Sequence, residues 1–359
     1  MIAVPPFYCP IPSAKSPHTA AAERTVVEWL DKFELFESPT QRDYFARSHF
    51  PAFPGRSLPD ADPELLVLPG KEVMWLQSFD DVHSDEKPGA TPPEEYIPLL
   101  ARLTRIMEDP QAPLLPDNPW AQALRDLRLD VGERATDVQT ERWVQANAEY
   151  FDGLLWEAVN RAEGRIPSLE DYVGMWLKQS GVYPCIVFTD IACGYEVPAA
   201  DWAGPRARTL REMTSVLIGW DNDLTSYDKE VARAAERNFP VVQNLVSVLA
   251  AQFALPEAEA VTLAGAMRDR AMAKFLALRD ETVATGGPEL ARYAQGLGQW
   301  IRGYLDYSGR SPRYTDPTNP DDAAVADPAR PGWTVADTPG PGAVRTDLPA
   351  LACIDSWWA

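Results

Sequence analysis

Apolar side chains recur along most of the chain with the spacing of a helix surface. Val26, Trp29, Leu30 and Phe33 fall at i, i+3, i+4 and i+7 and so share one face of an amphipathic helix. Leu245, Val248, Leu249 and Phe253 repeat the pattern. Ala264, Met267, Ala271, Phe275 and Leu278 carry it through a long segment from about Pro256 to Thr285. Thr136 to Ala162 and Arg206 to Arg233 read as two further long helices. Strand signals are nearly absent; Tyr183 to Phe188 is rich in β-formers but short, and it follows a glycine. There is no internal repeat. The pattern predicts an all-α protein, one body of ten or more helices from about residue 20 to 314.

Proline marks what lies outside that body. Pro5, Pro6, Pro10, Pro12 and Pro17 make residues 1–19 an extended strap. A second proline-rich stretch, Pro51 to Pro69, connects early helices. Residues 315–359 are rich in Pro, Gly, Ala and Asp without apolar periodicity, so they read as a disordered tail ending in a loose Trp357-Trp358.

Charge narrows the function. The 53 acidic residues outnumber the 33 basic ones, for a formal charge of −20, which argues against a general nucleic-acid binder. A phosphate-bearing small substrate stays compatible, because acidic clusters can hold Mg²⁺ and the metal inverts the local charge. The three histidines, His18, His49 and His83, are too few for a His-rich zinc site or a Ser-His-Asp triad to be expected. The four cysteines form no Cys-x-x-Cys pair and read as thiols of a reducing cytosol. The first residues lack the basic start of a signal peptide, and no apolar run is long enough for a membrane span. A cytoplasmic protein is expected.

Three motifs carry chemistry. The first is Phe79-Asp80-Asp81-Val82-His83-Ser84-Asp85-Glu86, at the end of a helix. Helical spacing puts Asp81 and Asp85 ~40° apart, so three carboxylates crowd an end where the helix dipole is already negative. A divalent cation relieves both penalties, and hard Mg²⁺ prefers carboxylate, water and phosphate oxygens. Taken alone, the cluster also fits a solvated acidic helix end. The second motif is more specific. In Trp220-Asp221-Asn222-Asp223-Leu224-Thr225-Ser226-Tyr227-Asp228-Lys229-Glu230, the side chains of Asn222, Ser226 and Glu230 fall at i, i+4 and i+8. They form one stripe within ~80° of arc on an otherwise apolar helix. An amide oxygen, a hydroxyl and a carboxylate make a weak cation site that fills properly only when a ligand adds oxygens, and Lys229 can point at an anion held there. The third is Ser311-Pro312-Arg313-Tyr314, where Arg can clamp a phosphate bidentately and the tyrosine hydroxyl can add a donor.

In this order and company the motifs resemble those of the bacterial class I terpene synthases (terpene cyclases), over roughly residues 20 to 314. The resemblance implies a single helical bundle enclosing an apolar cavity, in which three Mg²⁺ ions bind an isoprenoid diphosphate and trigger its ionisation. It implies Asp80 and Asp85 as ligands of two ions, with Asp81 grouped beside them but more often a hydrogen-bonding partner. Asn222, Ser226 and Glu230 correspond to ligands of the third ion, and Lys229, Arg313 and Tyr314 to diphosphate donors. One feature departs from the family. After Pro167-Ser168-Leu169-Glu170-Asp171-Tyr172 an arginine usually senses diphosphate, and that position falls near Trp176. Lys178 is the nearest cation. Gln179-Ser180-Gly181 sits where the family breaks this helix.

Ionisation of such a substrate makes diphosphate and an allylic carbocation, so the cavity must exclude water, and aromatic faces can stabilise the migrating charge. Trp75, Phe79, Trp300, Tyr304 and Tyr307 are the aromatic candidates, of which at least two are expected to line the cavity. The runner-up enzyme is a chain-elongating prenyltransferase, which normally needs two Asp-rich motifs; a non-catalytic helical scaffold is the other class. The cyclase reading requires the Asp80 and Asn222 stripes to face one cavity mouth. Farnesyl diphosphate is the default substrate on family frequency, ahead of geranylgeranyl and geranyl diphosphate. A homodimer is left open.

Overall fold

The computed structural model describes residues 4–85, 91–237, 242–315 and 333–358. Helices α1 (Thr19–Phe33), α2 (Pro39–Arg47) and α3 (Ala52–Ser57) lead to α4 (Val67–Asp80), which runs on as a π-helical turn over Asp81–Asp85. Then come α5 (Pro93–Glu108), α6 (Pro119–Arg134) and α7 (Asp137–Ala162). After α8 (Leu169–Gln179) the chain breaks into the short α9 (Val182–Ile186) and α10 (Phe188–Ile191). α11 (Ala199–Ala203) precedes the long α12 (Pro205–Arg237), followed by α13 (Leu245–Phe253), α14 (Glu257–Thr285), α15 (Pro288–Ser308) and α16 (Pro312–Thr315). The fold is all-α. Its only strand pairing among the described residues is a two-residue parallel bridge of β1 (Phe7–Tyr8) with β2 (Val335–Ala336).

Local chemistry sets the helix boundaries. Proline opens α2, α5, α6 and α15, where its missing N–H would have no helical partner anyway. Thr136 and Gln139 form a reciprocal capping box at the start of α7, with both bonds at 3.1 Å. Ser168 and Asn244 cap α8 and α13 through their side chains. The β-rich Tyr183–Phe188 segment is helical here, because it follows Gly181 in a left-handed conformation (φ 66°) that turns the chain out of α8 into α9.

α12 runs through the middle, packed against α8, α9, α14 and α15. Val216, Leu217, Ile218, Trp220 and Leu224 are all buried on it. A fully buried ion pair fixes its rotation: Arg268 of α14 donates to Asp221 Oδ1 at 2.7 Å and to Oδ2 at 3.1 Å, and also to the Tyr8 carbonyl of the N-terminal strap. The strap is held again where Arg302 donates to the Ile11 carbonyl at 2.7 Å. Among the described residues no single helix is long and apolar enough to cross a membrane.

The expectation of a disordered tail does not hold for residues 333–358; residues 316–332 lie outside the described residues. Phe7 and Cys9 donate backbone N–H groups, each at 2.9 Å, to Thr334 and Ala336. Leu348, Leu351, Ile354 and Trp357 are buried. The Glu170 carboxylate, in the first turn of α8, accepts the N–H groups of Ala352 and Cys353 at 2.9 and 2.5 Å. Trp357 donates its indole N–H to Glu212 at 3.0 Å, and Arg270 stacks over Trp358 at 4.1 Å. The segment lacks periodicity because it docks through isolated anchors and backbone donors rather than a helix face. Trp357→Ala is therefore expected to lower the stability measured by urea unfolding by roughly 3–5 kcal/mol, the usual cost of emptying a buried tryptophan site. An unchanged midpoint would mean the segment is not seated.

Glu72 on α4 gives a second test. It is buried, accepts the Trp143 indole N–H at 2.8 Å, and burial pushes its carboxyl up to about 8. The folded protein therefore holds a proton that the unfolded chain releases above the ordinary carboxylate range, so stability falls as pH rises from there to about 8. Glu72→Gln keeps the acceptor and removes the titration. Its melting temperature relative to the parent should rise progressively between pH 5 and pH 8; a pH-independent difference would contradict this.

Candidate active site

One cavity opens among α4, α7, α8, α9, α12, α15 and α16, with about 210 Å³ accessible to the centre of a water molecule. Phe50, Phe53, Val73, Leu76, Met175, Val182 and Ile218 give it an apolar wall. Tyr150, Trp176, Tyr304 and Tyr307 add aromatic surface. Asp80, Asn222, Lys229, Glu230, Arg313 and Tyr314 supply its polar lining, with Glu157, Arg161, Gln179 and Gln243. The Asp80 and Asn222 stripes therefore do meet at one cavity.

Beyond Asp80 the backbone winds as a π-helical turn, a form that recurs at functional sites. Adjacent positions point ~100° apart, so the two carboxylates part: Asp80 lines the cavity, while Asp81 is buried and turned to Arg313, the hydrogen-bonding role expected of it. The side chain of Asp85 lies outside the described residues.

On α12 the second motif keeps its predicted stripe. Asn222 donates its two amide hydrogens to Tyr304 Oη at 2.9 Å and Tyr314 Oη at 3.0 Å, which leaves its carbonyl oxygen as the acceptor. The Ser226 hydroxyl is 2.8 Å from the Asn222 carbonyl oxygen of the backbone and 2.5 Å from Glu230 Oε1. Asn244 donates to Glu230 Oε2 at 3.0 Å and so orients that carboxylate. Among the described residues no three His, Cys, Asp or Glu side chains gather as a metal cluster. The donor chemistry nonetheless fits a hard divalent cation: amide, hydroxyl and carboxylate oxygens in one stripe, with Asp80 at the same cavity. The neighbouring aspartates do other work. Asp221 pairs with Arg268. Asp223 is buried and accepts from Tyr172 at 2.8 Å, Trp176 at 3.1 Å and the Leu245 N–H at 3.2 Å. Burial first, then the Glu230 charge, raises its carboxyl well above the ordinary range against those three donors.

The third motif joins the other two. Arg313 clamps Asp81 bidentately, Nη1 to Oδ2 at 2.7 Å and Nη2 to Oδ1 at 2.8 Å, and donates to Tyr44 Oη at 2.9 Å. Burial opposes its charge, but the Asp81 carboxylate more than offsets this and holds the guanidinium above its ordinary value. Tyr314, next in the chain, accepts from Asn222, and Lys229 lies 5.8 Å from the centre of its ring. Removing one partner of such a pair strands a buried charge. Asp81→Ala is expected to cost roughly 3–5 kcal/mol in urea unfolding, and Asp81→Leu combined with Arg313→Met to recover much of it. Equal losses in the single and double variants would show that the pair contributes nothing specific.

Of the five aromatic candidates, Tyr304 and Tyr307 line the cavity. Trp75 and Phe79 instead stack on each other, with ring centres 4.6 Å apart, inside the core. Trp300 stands behind Phe53 at 5.1 Å and donates to Thr189. Phe50 and Phe53 carry no periodic signal, because Phe50 directly precedes and Phe53 lies within the proline-rich stretch that reads as a connection, although Phe53 sits in the short α3. Lys178 does not reach the cavity. It faces outward, 3.5 Å from Asp152 and 41% exposed, while Trp176 lines the wall. Two residues along a helix turn a side chain by ~200°, so the pair points to opposite sides.

The model of terpene synthase family 2, C-terminal metal binding, matches residues 71–274. Bonnadiene synthase of Allokutzneria albata is 36% identical, covering 99% of this chain and 97% of its own. A 4-epi-cubebol synthase of Streptosporangium roseum, described as cyclising (2E,6E)-farnesyl diphosphate, is 31% identical over 87% of this chain and 92% of its own. The crystal structure of the SVS_A2 protein, from ancestral sequence reconstruction, superposes with a TM-score of 0.81 at 30% identity, covering 99% of this chain and 98% of that one. The chain belongs to the terpene synthase family, whose enzymes act on isoprenoid diphosphates.

Proposed function

We propose that this protein is a Mg²⁺-dependent sesquiterpene cyclase that ionises farnesyl diphosphate, cyclises the resulting carbocation and releases diphosphate. One observation carries the reading: the Arg313-Tyr314 dipeptide contacts Asp81 of the first motif and Asn222 of the second beside a single cavity that Phe50, Phe53, Val73 and Ile218 also line. A scaffold has no use for that convergence. The Asn222, Ser226 and Glu230 set, in place of a second Asp-rich motif, separates the reading from a chain-elongating prenyltransferase. The farnesyl chain length is supported by the stated substrate of the 4-epi-cubebol synthase.

Three Mg²⁺ ions would neutralise the leaving diphosphate, two of them held through Asp80 and Asp85 and the third by Asn222, Ser226 and Glu230. Arg313, oriented by Asp81, donates to the diphosphate, and Lys229 and Tyr314 add donors from the same side. Phe50, Phe53 and Ile218 line the same cavity and exclude water from it. Trp176, held on Asp223, presents a fixed aromatic surface that can stabilise a migrating positive charge.

Incubation with farnesyl diphosphate and Mg²⁺ should yield a cyclic sesquiterpene by mass spectrometry and lose all turnover on chelation. Product from geranylgeranyl or geranyl diphosphate alone would overturn the chain length. Asp80→Ala and Asn222→Ala should each abolish turnover while far-UV circular dichroism stays that of the parent. Near-full activity of either at saturating Mg²⁺ would remove that residue from the cation site.

A further inference from the structure

Three cationic side chains line the cavity among the described residues: Lys229, Arg313 and Arg161. The first two have roles above; Arg161, near the end of α7, has none. Gly153, Glu157 and Arg161 fall at i, i+4 and i+8 on α7 and so make one stripe facing the end of α8. At Gly153 the two helices are in backbone contact: a Cβ there would lie 2.6 Å from the Gln179 nitrogen and 2.7 Å from its Cα. One turn on, Glu157 Oε2 accepts from Gln179 Nε2 at 2.8 Å. Its other oxygen, Oε1, pairs with Arg161 at 3.0 Å. The carboxylate thus ties the guanidinium to the residue at which α8 breaks, and the Arg161 side chain is only 15% exposed. Gln243 donates to the Glu157 carbonyl at 3.0 Å and steadies the same turn. Trp176, by contrast, brings no charge, and Lys178 faces away.

We propose that Arg161 is a diphosphate-binding residue of this enzyme and that Glu157 positions it. A guanidinium presents five N–H groups in a rigid plane and matches phosphate oxygens in pairs. On α7, Arg161 supplies cationic character to the cavity from the helix facing the end of α8, whereas Lys229 and Arg313 act from α12 and α16. The assignment rests on the cyclase reading above.

Calorimetric titration of inorganic diphosphate with Mg²⁺ into the full chain tests it without turnover. Arg161→Ala and Arg161→Gln should each bind at least tenfold more weakly than the parent, and Lys178→Ala should bind as the parent does. Adding Glu157→Gln to Arg161→Ala should weaken binding no further, since Glu157 acts only through the arginine; a merely structural Glu157 would instead add its own loss. If Arg161→Ala fails to fold, Arg161→Gln, which keeps a polar group for Glu157, decides. Parental affinity in a folded Arg161→Gln overturns the assignment while leaving the cyclase reading intact. A parent protein that neither binds Mg²⁺-diphosphate nor turns over farnesyl diphosphate overturns both.

Discussion

The buried pair of Arg313 with Asp81 organises this molecule. The two residues are 232 positions apart in sequence, and neither is tolerable alone at that depth. Their pairing docks the short α16 against the end of α4, and docking α16 brings Tyr314 onto Asn222 of α12. Two polar motifs on separate helices are thereby fixed at one cavity. Each motif taken singly is a cluster of like charges or a polar stripe, which water would solvate equally well. The dipeptide makes them one site, and its arginine cannot shift without abandoning the carboxylate that compensates it.

The cavity brings two kinds of surface together. Oxygen and nitrogen groups of α4, α12 and α16 share it with phenylalanines and aliphatic side chains, and the Phe50 ring lies 5.5 Å from the Arg313 guanidinium. That mixture suits a reaction that separates a multiply charged leaving group from a cation that must not meet water. Trp176 belongs to the same lining. Its indole N–H is committed to Asp223, so its orientation is set by that carboxylate, and the place where the resemblance led an arginine to be expected is neutral aromatic surface.

Much of this was legible from residue pattern. The helices around Trp29, Leu249 and Met267 follow from apolar periodicity, because each buries one face against the same core. Asn222, Ser226 and Glu230 could be grouped because α12 is regular where they sit. Asp80 and Asp81 part as adjacent helical positions do, but the partner that Asp81 takes, Arg313, lies 232 positions away and leaves no local sign. Arg161 left no local signal; its significance depends on Gly153 and Gln179, which only packing brings together. The docking of Ile354 and Trp357 was invisible for a related reason. Single anchors have no period, and the Glu170 carboxylate that receives two backbone N–H groups looks in sequence like any acidic first turn of a helix.

The bridge between β1 and β2 pairs Phe7 with Val335, residues separated by almost the whole chain. Closing a loop of that length costs more entropy than any other contact here, although the cost rises only logarithmically with length. Contacts so far apart form after local ones, so the helices should assemble before the two ends meet. Tyr8, the other bridge residue of β1, also accepts from Arg268 through its carbonyl, and Arg268 fixes α12 through Asp221. The last closure of the folding reaction is thus wired to the helix that carries Asn222, Ser226 and Glu230. A chain in which the bridge has not yet formed holds every part of its chemistry but not the stitch that secures it, and competence should arrive with that closure.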